Sequence, residues 1–200
     1  MPKIGMEPIR RAALVQATIH EIGRTGSLDV TVSQIARRAG MSSALAHHYF
    51  GSKEQMFLAA MRHTLTLYGA EVRGALALAE GPEARLQAVI RASFSPANFR
   101  REVIGAWLNF YVLAQTVPGA RRLLRIYQNR LRSNLLGPLH RLVGSRAGAV
   151  ADALGAMIDG VYIREALSDG PSDGAAAAAL VLDCLAAELA KDAGAAPARR

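Results

Sequence analysis

The sequence has one cysteine in 200 residues, Cys184, so no disulfide can form within the chain. The first eight residues, Met1 to Pro8, hold no apolar leader, and with the cysteine count this sets the expectation of a reducing, cytoplasmic setting. No stretch approaches the roughly 18 uninterrupted apolar residues of a spanning helix. The most apolar one, Ala175 to Ala190, is broken by Asp183 and Glu188, so no membrane anchor is expected. Alternating β-branched runs are few, which argues against a sheet. Reactive constellations are missing too. His47 and His48 are adjacent rather than three or four apart, and no glycine-rich phosphate loop occurs. In Gly144-Ser145-Arg146-Ala147-Gly148 the serine stands one place too early for a nucleophile elbow. Catalysis, a metal and a cofactor are therefore not expected.

Hydrophobic residues make up 51% of the chain and charged residues 20%, a balance that supports a packed core. The net charge of +8 invites a polyanionic partner without proving one. Its distribution is uneven: 7 basic against 3 acidic residues in 1–53, 4 against 4 in 54–99, 9 against 1 in 100–146, and 4 against 8 in 147–200. Two separate segments are basic, and the second contains Arg121, Arg122, Arg125, Arg130 and Arg132. That cluster reads as a solvated helix face, a second phosphate contact or part of an anion pocket, the first being the ordinary outcome.

Ala, Leu, Arg, Gln and Glu dominate, and apolar residues recur at three- and four-residue spacing, so the chain reads as all-α. A first helix is predicted from about Glu7 to Arg24, with Ile9, Ala13, Ala17, His20 and Ile22 near one stripe and Gly26 as its stop. Thr31-Val32-Ser33-Gln34 is a capping box that opens a short helix closed by Gly40. Ser42 caps another short helix, about Ser43 to Tyr49, and Ser52-Lys53-Glu54-Gln55 is a second box that starts a long helix to about Ala79. Further helices are predicted after Gly81-Pro82, over Arg101 to Thr116, over Ala120 to Val143 with Pro138 kinking or splitting it, to Leu167 after a loop at Gly144 to Gly148, and over Ser172 to Ala190. No internal repeat is visible.

Two short capped helices with Ala36, Ala39 and Gly40 at a tight turn are the sequence form of a helix-turn-helix, whose second helix enters the DNA major groove. Ser42, Ser43, Ala44, His47, His48 and Tyr49 lie on or beside that second helix, Lys53 follows at a helix start, and Thr31 and Gln34 open the first. These side chains are of the kinds that meet base edges and phosphates. A pair of short helices in any bundle can look the same.

From Thr31 through Ser42, and again from Tyr49 through Glu54, the sequence resembles the N-terminal signature of TetR-family transcriptional repressors. The resemblance covers about residues 8–68. It implies a homodimer with a small helix-turn-helix DNA-binding domain over 8–68 and a larger helical ligand-binding and dimerisation domain over 69–191, leaving 192–200 as a disordered tail. Many members carry Tyr where His47 stands and His where Tyr49 stands, which makes those two contacts the departures from the pattern. Met1 to Met6, Arg10-Arg11, His48-Tyr49-Phe50, Ala106-Trp107-Leu108 with Phe110, and Met157 to Gly160 with Arg164 resemble a narrower branch. Its members repress the synthesis of glycine betaine from choline and respond to choline. The resemblance thus implies operator DNA, choline and a second copy of the chain as partners, with dimer packing near 149–167 and 173–190.

A quaternary ammonium ion donates no hydrogen bond and is held best by aromatic faces and a carboxylate. Trp107, Phe110 and Tyr111 fall within five positions, Tyr127 and Tyr162 can join them, and Asp159 sits in the apolar run Ala153 to Ile163, where a lone carboxylate is costly. These six are the candidate ligand residues. Read without the resemblance, the rings are core packing and Asp159 pairs with an arginine. Another small cation, an anionic ligand at the arginine cluster, and a non-DNA helical interaction module remain the alternatives.

Overall fold

The computed structural model describes residues 5–193, and among them the secondary structure is helical without a strand. The helices are α1 (Met6–Thr25), α2 (Val32–Arg38), α3 (Ser43–Phe50), α4 (Lys53–Leu78), α5 (Gly81–Ser93), α6 (Arg101–Thr116), α7 (Pro118–Val143), α8 (Ala147–Ala166) and α9 (Gly174–Ala193). The all-α expectation holds. None of these helices is long and apolar enough to cross a membrane.

The chemistry that ends each helix near the reading unit is local. Thr31 accepts from the Gln34 amide at 3.2 Å while the Gln34 side chain accepts from the Thr31 amide at 2.7 Å, so both halves of the capping box are closed. At the other end of α2 the Met41 amide donates to Ala36 at 2.9 Å and the Gly40 amide to Arg37 at 3.1 Å, with Gly40 at φ +68°. This double closure needs a left-handed residue, which glycine supplies without a Cβ penalty. Ser42 accepts from the Leu45 amide at 3.2 Å, and Ser52 from the Gln55 amide at 3.2 Å.

Four expectations are corrected. Ile9 is 62% exposed; Ala17 and Ile22 are buried as expected, and the rest of the buried face of α1 is Leu14, Val15, Thr18, Ile19 and Glu21. Pro138 does not split α7, which runs unbroken from Pro118 to Val143. Leu131, Leu135, Leu139 and Val143 bury one continuous face across it. Gly137 also removes the Cβ that a proline ring clashes with in the preceding residue. The loop expected at Gly144 to Gly148 is a single 3-10 turn, Gly144–Arg146, leading directly into α8. Finally, α9 extends to Ala193; the tail expected to be disordered lies, from 194 onward, outside the described residues.

By packing, the chain forms two compact units: residues up to Thr66 with Arg100–Leu124, and Leu67–Phe99 with Arg125 onward. In the first unit α6 packs on α1. Gly23 of α1 lies so close to the backbone of Glu102 that a Cβ would overlap it. A Cβ on Gly105 would stand 3.2 Å from the Gly23 Cα. Two glycines therefore let the helix backbones approach more closely than side chains allow. In the same unit, Leu14, Ile35, Ala46 and Met56 form the centre of a core that also takes in Ala106 of α6.

Replacing Gly23 with alanine is expected to destabilise the protein by about 1–3 kcal/mol, the usual cost of overpacking a close contact. Gly74 of α4 has open space where its Cβ would stand. Gly74→Ala is therefore expected to leave stability unchanged or raise it by up to about 1 kcal/mol through helix propensity. Paired thermal melts of the two variants check this contrast.

Candidate functional site

Helix α3 has a single buried residue, Ala46, on its eight-residue length. Ala44, His47 and His48 are exposed, and their spacing of three and four puts them on the face opposite Ala46. Ser42 is exposed at the cap, and the Ser43 hydroxyl lies 3.0 Å from that of Ser33 on α2. Tyr49 is half-buried. Its ring is 5.5 Å from that of His48. The His47 Nδ1 lies 3.0 Å from the Gly51 carbonyl. Lys53 is exposed, with its ammonium 3.1 Å from the Leu28 carbonyl and 5.7 Å from the Phe57 ring centre. Thr31 and Gln34 are committed to the cap of α2, which sets that helix's direction.

The angle between α1 and α2 is held by one buried carboxylate. Glu21, 4% exposed, accepts from Arg24 at 2.9 Å and from Arg38 at the end of α2. The Arg38 hydrogen bond, with Arg24 beside it, holds the Glu21 carboxyl below the usual carboxylate range against the opposing effect of burial. Arg38 was legible only as positive charge; its partner is 17 positions away.

The six candidate ligand residues fall into two groups. In the unit that contains α1 to α3, Trp107 and Phe110 are buried and edge-on at 5.8 Å, and Tyr111 tilts against Trp107 at 5.9 Å. In the other unit the Tyr127 hydroxyl donates to Asp159 at 2.9 Å, which gives that carboxylate a phenol partner. Asp159 is half-buried and borders a recess of about 290 Å³ on α7 and α8. Tyr162 is buried, stacked on Phe94 at 5.8 Å and edge-on to Phe99 at 5.1 Å. Its hydroxyl donates to the Ser93 carbonyl at 2.5 Å.

Residues that the sequence reading missed complete that second group. Tyr68 lies edge-on to Tyr127 at 5.8 Å with its hydroxyl 3.1 Å from that of Ser93. The Asn98 amide donates to Glu71 at 2.7 Å. Burial pushes the Tyr68 hydroxyl up to about 12; the Ser93 hydrogen bond opposes this, and the charges of Asp159 and Glu71 add to it. Charges that disfavour a phenolate favour a cation. Tyr68 and Glu71 stand three apart on α4, a weak signal that acquires meaning only when Tyr127 and Asp159 are brought beside them.

Within the arginine cluster the hydrogen bonds and ion pairs are local to each unit. Arg121 donates to the Ala114 carbonyl at 3.1 Å and to that of Gln115, closing the C-terminus of α6. Arg132 pairs with Asp152 at 2.7 Å, and Arg122, Arg125 and Arg130 are exposed.

Comparison with known proteins gives the same pattern along the chain. Residues 14–60 match the family described as bacterial regulatory proteins, tetR family, and residues 82–190 match BetI-type transcriptional repressor, C-terminal. The chain is 53% identical over 190 residues to the HTH-type transcriptional regulator BetI of Brucella suis, covering 94% of this chain and 96% of that protein. Among solved structures it is similar to a putative transcriptional regulator from Pseudomonas aeruginosa PAO1, at 24% identity, with a TM-score of 0.77 over 92% of this chain and 91% of that one. It is also similar to a putative regulator from Saccharomonospora viridis solved in complex with choline, at 21% identity, with a TM-score of 0.76 over 86% and 93% of the two chains.

Glu21 has a lowered folded-state pKa, so its contribution to stability is present above the unfolded carboxylate pKa of about 4.3 and is lost as pH falls through the lower folded value. Wild type is accordingly expected to be more stable than Glu21→Gln at pH 7, with the gap closing below about pH 4. Denaturant titrations of both proteins across that range measure it.

Proposed function

The chain belongs to the TetR family of bacterial regulatory proteins, with a BetI-type repressor C-terminal region, and on that premise we propose that it represses the genes that make glycine betaine from choline and is released by choline. The observation that carries the DNA half is the exposed Ala44, His47 and His48 face of α3, set between two capped ends. One chain's Ser42 to Tyr49 segment reads one half-site and its twin reads the other. Thr31 and Gln34 orient the first helix, while Ser42, Ser43, Tyr49 and Lys53 supply hydroxyl and ammonium donors for bases and phosphates. The work is binding rather than catalysis, and its place is the cytoplasm.

The choline half rests on the second aromatic group. Tyr127 and Tyr68 are packed edge-on, and the charges of Asp159 and Glu71 supply negative potential beside them. That pairing of π faces with carboxylates is what a trimethylammonium head recognises, at about 0.5–2 kcal/mol for each ring. The relative from Saccharomonospora viridis, solved with choline, supports the same ligand class. Trp107, Phe110 and Tyr111 are proposed separately as effector-responsive residues of α6. Because α6 crosses α1 at Gly23, a shift of the Trp107 rings has a direct route to the helix that carries α2 and α3.

Dimerisation is assigned to α8 and α9, where Ile163, Leu167 at the C-cap of α8, and Leu180 are exposed apolar side chains. Leu167→Glu with Leu180→Glu is expected to convert a dimer into a monomer by analytical ultracentrifugation and to weaken operator binding with it.

Fluorescence anisotropy on a labelled fragment from upstream of the chain's own gene tests the rest. Wild type is expected to bind and to lose affinity in millimolar choline. Asp159→Asn, which keeps the side-chain shape, is expected to bind the same DNA and to respond at least tenfold less to choline. Trp107→Phe is expected to blunt the response while keeping DNA affinity. Specific binding that ignores choline would retain the repressor and discard the ligand.

A further inference from the structure

Arg10 and Arg11, at the start of α1, belong to neither the proposed base-reading face nor either aromatic group, yet both reach the far end of the reading helix. The guanidinium of Arg11 lies over two rings of α3, 5.6 Å from the Tyr49 ring centre and 5.1 Å from that of Phe50. Glu7, one turn earlier on α1, accepts from the Arg11 Nε at 2.8 Å and fixes the group in place. Arg10 donates to the Tyr49 hydroxyl at 3.4 Å.

The need for such a hold follows from the burial of α3. Its one fully buried residue, Ala46, is a methyl group and gives little resistance to rotation about the helix axis. The N-terminal end is tied by the Ser42 cap and the Ser33 to Ser43 hydroxyl contact. The C-terminal end has Tyr49 and Phe50, both half-buried, so how these two rings sit decides which way Ala44, His47 and His48 face. A guanidinium over both ring faces favours one orientation of the pair, since cation–π attraction falls away once the charge leaves the ring face.

We propose that Glu7 and Arg11 form a clamp on Tyr49 and Phe50 that positions α3 for base reading, with Arg11 as a positioning residue rather than a DNA contact. The proposal rests on the DNA-binding reading above. It separates two quantities that a direct phosphate contact would change together. A mis-set reading helix loses base contacts but keeps phosphate contacts, so selectivity falls while non-specific affinity holds.

The test compares wild type, Arg11→Ala, Arg11→Lys and Glu7→Gln by fluorescence anisotropy on the upstream fragment and on a scrambled duplex of the same composition, over a salt series, with thermal melts alongside. Arg11→Ala is expected to weaken binding to the upstream fragment about 3–10-fold, the scale of one or two cation–π contacts. Affinity for the scrambled duplex and the salt slope are expected to be unchanged. Arg11→Lys is expected to recover part of the loss, since an ammonium keeps the charge but not the flat face that covers two rings. Glu7→Gln leaves every group on α3 and Arg11 in place, and a smaller loss of the same selective kind is expected from it.

An equal loss on both duplexes with a slope lower by about one would make Arg11 a phosphate contact and overturn the clamp. Unchanged selectivity in Arg11→Ala would overturn it as well. If Arg11→Ala melts early and loses both affinities, Glu7→Gln decides: no selective loss there refutes the clamp. Failure of wild type to prefer the upstream fragment is a different result, and it removes the DNA-binding reading itself.

Discussion

Two helices cross at Gly23 and Gly105 with no side chain between them, and the first of the two compact units is organised around that crossing. Helix α1 carries α2 through the Glu21 carboxylate and carries α3 through a core of Leu14, Ile35 and Ala46. Helix α6 carries Trp107 and Phe110. Backbone packed on backbone has little slack, because interiors this close are nearly incompressible. A displacement of α6 is therefore not absorbed by a side-chain rotamer at the contact. On the proposed reading it is passed to α1, against which α2 and α3 pack. Function in this family is binding that can be undone, and the crossing supplies a stiff link between the rings of α6 and the helix pair that meets DNA.

The reading unit itself is built from inexpensive local devices. A capping box, a left-handed glycine and a serine cap fix where α2 and α3 begin and end, each at about 1 kcal/mol. Buried apolar surface is scarce on two helices this short, so ionic and polar contacts from α1 fix their angles: Glu21 with Arg38 for α2, and the Arg10 and Arg11 contacts at Tyr49 for α3. Exposed polar groups on α3 are then free to face a groove. Such a unit trades stability for a presented surface.

Most of the fold was legible because its signals are local. Thr31 with Gln34, Gly40, Ser42 and Ser52 announce helix ends within four residues of themselves, and the structure places those ends where the spacing does. The α1 stripe was misread because Ile9 is apolar yet lies at the exposed start of its helix, whereas Thr18 and Glu21 are polar yet buried. Thr18 is satisfied by the Leu14 carbonyl one turn back and Glu21 by two arginines, compensations that hydrophobicity does not record. The split at Pro138 does not occur; its cost was weighed without the leucine face that spans it. For the candidate site, the sequence pointed to Tyr127 and Asp159 separately, and their hydrogen bond joins positions 32 apart. Phe94 and Phe99 carried no local signal and the spacing of Tyr68 and Glu71 only a weak one, since their meaning is tertiary.

The central claim is that DNA binding and choline binding are one coupled equilibrium. Linkage then requires reciprocity: whatever factor choline takes from operator affinity, operator DNA must take from choline affinity. Isothermal titration of choline into the free protein and into the protein saturated with its upstream fragment measures this directly. The account predicts a choline Kd weaker in the DNA-bound protein, by the same factor that choline weakens the DNA complex. Equal choline affinity in both would contradict it.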